Sequence, residues 1–132
     1  MARIFLLFSH SLTEDQITDT KTNLGVTEFV SLSSALEDHW KTVPTRIPSI
    51  IDYLEPIRNW LTEKATKGDY VLIQGDFGAT YLMVNFCFSK GFVPIYATTE
   101  RQVKEQKMPD GSIKLERTFK HKIFRRYERL NF

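Results

Sequence analysis

A single segment sets the chain's architecture, Tyr70-Val71-Leu72-Ile73-Gln74-Gly75-Asp76-Phe77-Gly78-Ala79-Thr80. An apolar run precedes the two glycines and a second apolar run follows them, which predicts a strand, a tight turn and a helix. Unbonded N–H groups at the start of such a helix attract an anion, so a phosphate or carboxylate is one expected guest of the turn. The alternative is a plain strand-to-helix turn in which Asp76 caps the helix.

Working outward, strands and helices alternate along the first hundred residues. Thr13 with Gln16 forms a capping box, and Ser33 or Ser34 can cap a second helix. The predicted strands are residues 4–8, 28–32, 70–74 and 92–97, and the predicted helices are 13–24, 34–40, 49–67 with a kink at Pro56, and 79–89. This alternation predicts an α/β protein with a mostly parallel sheet in the order 2-1-3-4, flanked by helices.

In the last quarter of the chain the alternation of strands and helices ends. Two extended segments, 102–107 and 113–118, flank Asp110-Gly111, which predicts a C-terminal β-hairpin after a loop at 98–101. From Ile113 onward, seven Lys and Arg face two Glu, a net charge of +5, and the rest of the chain carries −3. Interleaved aromatics make this tail suited to a polyanion, although a solvated face or the end of a hairpin strand has the same composition.

Length and composition bound the remaining possibilities. With 132 residues, the chain forms one domain, with a core at 1–100 and a hairpin with a basic tail at 101–132. No apolar run approaches the roughly 20 residues that span a bilayer, so we expect a cytoplasmic protein with no membrane partner. Scattered histidines and a single Cys87 predict no metal site and no cofactor, with Cys87 as a small core residue.

The helix at Tyr81–Phe88 is apolar almost all round, so it must be covered on more than one side. A second subunit is the predicted cover, giving a homodimer with ligand at its interface. The alternative is a central helix within one chain.

In a sheet of this order, ligands bind beyond the carboxyl ends of the strands where the order reverses. This rule brings Ser9-His10-Ser11 beside Gln74–Thr80, with Thr98–Arg101 next along. Ser9 and His10 are adjacent and point to opposite faces of an extended segment, which disfavours a serine hydrolase. Hydroxyls, N–H groups and cations without a metal suit attack by an RNA 2′-hydroxyl on its own phosphate.

Three segments carry a family resemblance: Phe5-Leu6-Leu7-Phe8-Ser9-His10, residues 68–80, and Pro94-Ile95-Tyr96-Ala97-Thr98-Thr99. Together they resemble the small CRISPR-associated accessory proteins found with type III systems. The resemblance implies a CARF-like Rossmann domain, a homodimer, and a ring nuclease that degrades cyclic oligoadenylate, with cyclic tetra-adenylate as substrate and no DNA partner. It also implies metal-free cleavage to linear di-adenylate ending in a 2′,3′-cyclic phosphate.

The candidate residues come from the residue-level argument rather than from the resemblance. The catalytic candidates are Ser9, His10, His121 as acid for the leaving 5′-oxygen, and Arg125 for charge stabilisation. The ligand-binding candidates are Gln74, Gly75, Asp76, Phe77, Gly78, Ala79, Thr80, Thr98, Thr99, Arg101 and Arg126. Two other functions stay open: a non-catalytic cyclic-oligoadenylate sensor or sponge, and a general RNA-binding module.

Overall fold

The computed structural model describes residues 2–130 as one mixed sheet with helices on both faces. In chain order the elements are β1 (Ala2–Leu7), α1 (Glu14–Asn23), β2 (Val26–Ser31), α2 (Ser34–Lys41), α3 (Glu55–Lys64), β3 (Tyr70–Ile73), α4 (Phe77–Lys90), β4 (Val93–Lys107) and β5 (Ile113–Arg126).

The strand order is β2-β1-β3-β4-β5. The first four strands are parallel to one another, and β5 runs antiparallel to β4. The predicted α/β class, the order 2-1-3-4 and the C-terminal hairpin are therefore confirmed. The order in which the chain adds strands reverses between β1 and β3, and in open sheets of this order ligands bind beyond the carboxyl ends of two such strands.

Two hydrophobic clusters lie on opposite faces of the sheet. Phe5 and Val71 point into the larger cluster, which α2, α3 and α4 cover, whereas Ile4 and Leu72 point into the smaller one beside α1. All four side chains are fully buried. Strands covered on both faces read as continuous apolar runs, which is why β1 and β3 were recognisable in the sequence.

The helix starts follow local capping chemistry. Thr13 and Gln16 form the predicted reciprocal capping box before α1, and the Ser33 side chain accepts the Leu36 N–H at the start of α2. Each such cap contributes about 1 kcal/mol, enough to set where a short helix begins.

The predicted long helix from Ser49 with a kink at Pro56 is wrong. The α-helix begins only at Glu55, with Pro56 in its first turn, and Ile51–Leu54 form turns. Proline has no N–H, and its ring clashes with the carbonyl four residues earlier, so the first turn is its natural place in a helix.

The predicted loop at Thr98–Arg101 is also wrong, because β4 continues as one strand from Val93 to Lys107. A bulge between Ala97 and Thr99 bends the strand there, and Thr98 Oγ1 both donates to and accepts from the backbone of Ile123. Pairing with β5 overrides the polar composition that suggested a loop. The basic tail is accordingly a strand as far as Arg126. We call residues 99–121 the arm, since both its strands extend past the carboxyl ends of β1 and β3.

Candidate functional site at the carboxyl edge

Gln74 joins the ends of β1 and β3 to the bulge in β4 and to α2. Its N–H donates to the Leu7 carbonyl (3.1 Å), and its side-chain Oε1 accepts the Ala97 N–H (2.8 Å). Its own carbonyl accepts the Trp40 indole N–H (3.2 Å). The loops after β1 and β3 and the bulge in β4 therefore meet at one edge, as the topology predicted. Because three of its polar groups are bonded within the fold, Gln74 has only its amide NH₂ for a ligand.

A glycine is needed at position 75 because the Trp40 side chain leaves no space for a Cβ, and not because of the backbone angles there. A Cβ at this position would lie 2.9 Å from Trp40 Nε1 and 3.0 Å from two carbons of the indole. Real Cβ atoms do not approach other heavy atoms so closely, so the Trp40 ring occupies the space of a side chain. The glycine allows Trp40 to pack against the turn.

Asp76 caps the N-terminus of α4. The Asp76 carboxylate accepts the Ala79 N–H (3.0 Å), and the Asp76 carbonyl accepts the Thr80 N–H (2.8 Å). The capping alternative for Asp76 is thus confirmed, and the helix begins at Phe77, two residues before the predicted start. Ala79 is fully buried, and the first turn of α4 thus has two of its N–H groups, those of Ala79 and Thr80, bonded to Asp76.

Ser9 and His10 line a cavity of about 390 Å³ at the carboxyl ends of β1 and β2. The other polar groups on its wall are Ser11, Ser31 and Glu37. The exposed His10 ring sits edge-on to Phe8, with the ring centroids 5.4 Å apart. We call this cavity, lined by the loop residues Ser9, His10 and Ser11, the loop cavity. It combines hydroxyls and an imidazole with one carboxylate, a set of groups suited to binding ribose hydroxyls and to proton transfer.

Phe77 and Thr80 open onto a different cavity, of about 590 Å³, between α4 and residues 127–130. Tyr127 forms part of its wall and donates its hydroxyl to the Ile73 carbonyl at the end of β3 (2.7 Å). Burial, with a smaller effect from nearby Tyr96, raises the pKa of Tyr127. Thr80 Oγ1 is buried and has no hydrogen-bond partner among the described residues. Of the predicted phosphate cradle, only Phe77 and Thr80 line this cavity, and it shares no lining residue with the cavity of Ser9 and His10. The structure therefore does not bring the predicted cradle and the Ser9-His10 loop into one cavity.

The last two residues of β5, Arg125 and Arg126, both stack on tyrosines. Arg125 lies over the Tyr96 ring at 5.6 Å and donates to its hydroxyl at 3.1 Å. Arg126 lies over the Tyr70 ring at 5.9 Å. Both arginines line a third cavity of about 450 Å³ with Tyr96 and Tyr127. Stacking leaves guanidinium donors free for an anion, so a role in charge stabilisation stays a prediction for both.

His121 is attached to α1. Its Nε2 bonds Asp19 Oδ2 at 2.7 Å, and the His121 side chain is only 5% exposed. Its Nδ1 is buried and has no partner in the part of the chain the structure describes. Thr99 and His121 border a small cavity with the first turn of α1. The geometry accounts for His121 as the contact that anchors the arm to α1, and its role as a general acid stays a prediction.

A double-mutant cycle tests this anchor. We expect Asp19→Ala and His121→Ala each to lower the free energy of unfolding by about 1–3 kcal/mol, since each leaves a buried polar group unpaired. Their coupling energy should exceed about 1 kcal/mol in urea unfolding at neutral pH. The exposed pair Glu100–Lys122, 3.7 Å apart, is the control and should couple by less than about 0.5 kcal/mol. Equal coupling in both pairs would contradict the anchor.

The sequence argument missed three residues that shape this edge: Trp40, Asp19 and Tyr127. Each acts on a partner between 34 and 102 positions away. The one local feature of the sequence that could have indicated such a role is Trp40 on a short helix. Tryptophan is usually buried, with its indole N–H in a hydrogen bond.

Three further features were considered: a metal site, the thiol of Cys87 and a membrane-spanning helix. Within 2–130 there is no group of three or more His, Cys, Asp or Glu side chains that could hold a metal ion. Burial raises the pKa of Cys87 to about 12, so its thiol stays protonated at neutral pH, as expected of a core residue. Among residues 2–130, no helix is long and apolar enough to cross a membrane.

Comparison with known proteins gives one clear relationship. The profile of the family described as "Uncharacterized protein MJ1673 family" matches residues 2–125, which include β1 to β4 and all of β5 except Arg126. The Uncharacterized protein MJ1673 of Methanocaldococcus jannaschii is 50% identical over 127 residues, covering 96% of this chain and 98% of that protein. No solved structure matches the chain.

Proposed function

The chain belongs to the Uncharacterized protein MJ1673 family, and we propose that it is a ring nuclease that binds and cleaves cyclic oligoadenylate, with cyclic tetra-adenylate as its substrate. The proposal includes a Rossmann-like, CARF-like domain acting as a homodimer without a metal, and it places the protein in the switching-off of type III CRISPR signalling.

The observation that carries the proposal is the junction at Gln74. It links the ends of β1 and β3, between which the strand order reverses, to the bulge in β4, and so gathers two polar loops and that bulge at one edge. This is the position at which open parallel sheets bind nucleotides. The loop cavity lies at the same edge and supplies Ser9 and His10.

The reaction needs little from the protein beyond orientation and proton transfer. A ribose 2′-oxygen forms a bond to the adjacent phosphorus, the bond from phosphorus to the 5′-oxygen breaks, and the 2′-proton leaves as the 5′-oxygen gains one. Of the two candidate histidines, His10 is exposed at the loop cavity, whereas His121 is bonded to Asp19. We therefore assign proton transfer to His10 and charge stabilisation to Arg125.

Ligand size supports two subunits. The cavities of about 390 and 590 Å³ each match a single drug-sized ligand, so a ring of four nucleotides needs more than one of them. On α4, Phe77 is 95% exposed and Tyr81 is 68% exposed. Aromatic side chains so exposed next to a cavity favour coverage by a second copy, with the ligand near the two-fold axis.

Incubation with cyclic tetra-adenylate in EDTA tests the activity. Wild-type protein should yield linear di-adenylate with a 2′,3′-cyclic phosphate. His10→Ala should slow cleavage by about 100-fold or more with little change in binding, because a proton-transfer group is lost. Thr80→Ala and Arg101→Ala should weaken binding instead. Product chromatography gives the rate, and calorimetry on the same preparations gives the affinity.

The same experiment separates the alternatives. Tight binding with unchanged ligand at stoichiometric protein would refute the nuclease and leave a sensor or sponge. Equal affinity for generic single-stranded RNA, falling steeply with salt, would instead indicate an RNA-binding module. Equal loss of binding and cleavage in all three variants would contradict the division of roles.

A further inference from the structure

The cavity of about 590 Å³ between α4 and residues 127–130 contains polar side chains that the proposed reaction does not use. We call this cavity the α4 cleft. Tyr81, Asn85 and Phe88 line it from α4, and their spacing of four and three residues places them on one face of the helix. Glu128 and Arg129 line it from the other side. The α4 cleft therefore combines aromatic rings with a carboxamide, a carboxylate and a guanidinium group.

The wall opposite α4 is held in place by three contacts. Tyr127 donates its N–H to the Pro94 carbonyl (3.0 Å) and its hydroxyl to the Ile73 carbonyl (2.7 Å). The Arg129 guanidinium lies over the Phe88 ring, 5.7 Å from its centroid. Because these contacts fix both Tyr127 and Arg129, a ligand entering the cleft does not have to order this wall, which lowers the entropic cost of binding.

The charged and polar side chains of the cleft are available to a ligand. Among residues 2–130, neither Glu128 nor Arg129 forms an ion pair. The side chains of Tyr81 and Asn85 are exposed. Stacking on Phe88 covers one face of the Arg129 guanidinium and leaves its N–H groups, which lie in the plane of the group, free to bind an anion.

These groups match the three parts of an adenine nucleotide. An exposed tyrosine ring stacks on a base. A carboxamide one helical turn away can accept from the amino group of adenine and donate to its N7. A carboxylate accepts from ribose hydroxyls, and arginine binds phosphate. The volume of the cleft also lies within the range of small-ligand sites, about 300–1,000 Å³. An apolar peptide or a lipid chain would use none of these polar groups.

We propose that the α4 cleft binds one adenylate unit, with its base on Tyr81 and Asn85, its ribose at Glu128 and its phosphate at Arg129. This inference deepens the proposed function, because it assigns a recognition subsite for adenine outside the loop cavity, with which the cleft shares no lining residue. It rests on the proposed function for the nature of the ligand but not for cleavage.

Three small ligands test the contacts separately: adenosine 5′-monophosphate, inosine 5′-monophosphate and adenosine. The wild type should bind adenosine 5′-monophosphate about tenfold more tightly than inosine 5′-monophosphate, in which a keto oxygen replaces the amino donor that Asn85 accepts from. It should also bind adenosine 5′-monophosphate about tenfold more tightly than adenosine, which lacks the phosphate. Titration followed by NMR gives each dissociation constant, and the amide signals that move should include those of residues 81–88.

Four variants assign the preferences to side chains. Asn85→Ala should remove the preference over inosine 5′-monophosphate, and Arg129→Gln should remove the preference over adenosine, each without changing the other. Tyr81→Ala should weaken binding of all three ligands about tenfold, because the stack is lost. Phe119→Ala is the control, since it removes an aromatic ring of similar exposure, 71% against 68%, from the arm, and its affinities should equal those of the wild type. All four side chains are exposed, so each variant should fold, which circular dichroism checks.

Two results would overturn the inference: no saturable binding of adenosine 5′-monophosphate, or the same loss of affinity in Phe119→Ala as in Tyr81→Ala. Absence of binding together with weaker dimerisation of Tyr81→Ala would show that a second copy of the chain covers this face of α4 instead. If the wild type cleaves cyclic tetra-adenylate but does not bind adenosine 5′-monophosphate, the subsite alone is refuted. If it binds with the expected preferences and cleaves nothing, the nuclease alone is refuted.

Discussion

Replacing Trp40 with alanine should lower the free energy of unfolding by about 3–5 kcal/mol. The side chain is 1% exposed, packs in the larger cluster, and donates its indole N–H to the Gln74 carbonyl. Its loss leaves a cavity under the carboxyl edge and removes the only bond that links α2 to Gln74 among the described residues. Urea unfolding followed by circular dichroism measures the change.

Trp60→Ala is the matched control. Trp60 is 6% exposed and lies in the same cluster, where it packs edge-on to Phe5, but within residues 2–130 it donates no hydrogen bond to Gln74. Both variants should lose comparable stability, whereas only Trp40→Ala should also alter the turn at Gly75, seen as amide shifts of residues 74–78 in NMR spectra. Identical spectra in that turn would show that Trp40 acts through packing alone.

Gly75→Ala should destabilise the protein by about 1–3 kcal/mol, because the new methyl group would overlap the Trp40 indole. The same substitution at Gly78 is the control, since a Cβ there meets only ordinary contacts at 3.5 Å in the first turn of α4. Gly78→Ala should leave stability unchanged or raise it by about 0.5–1 kcal/mol.

The origin of the Gly75 effect can be isolated by combining it with Trp40→Ala. If the clash with the indole is the cause, the double variant should lose clearly less than the sum of the two single losses. Additive losses would mean that the glycine serves the backbone of the turn instead. Thermal unfolding of the four proteins side by side gives the comparison.

Local patterns carried much of the architecture. The apolar runs of β1 and β3, the Thr13 capping box and the Asp110-Gly111 turn each encode their structure within a few residues. Such signals depend on periodicity, hydrogen bonds to the nearest N–H groups and turn chemistry, all of which act within one element. The parallel order of four strands followed from their alternation with helices.

The errors arose where two local rules competed or where pairing outweighed composition. Apolar spacing from Ile50 to Leu61 suggested one helix, but Pro56 occupies a first turn and so limits where the helix can begin. Thr98–Arg101 looked like a loop, yet twelve registered pairs with β5 hold the long β4 strand together. Strand pairing with distant residues cannot be read from a polar stretch alone.

The sequence by itself determined the class of fold, the strand order and the edge at which polar loops gather, because those depend on short-range patterns and on the handedness of crossovers. Only the tertiary structure decided what the residues at that edge do. Gln74 joins strands, Gly75 accommodates Trp40, Asp76 caps α4, and His121 anchors the arm to Asp19. These roles depend on partners that the chain brings together from distant positions, and a side chain's chemistry depends on which partner it meets.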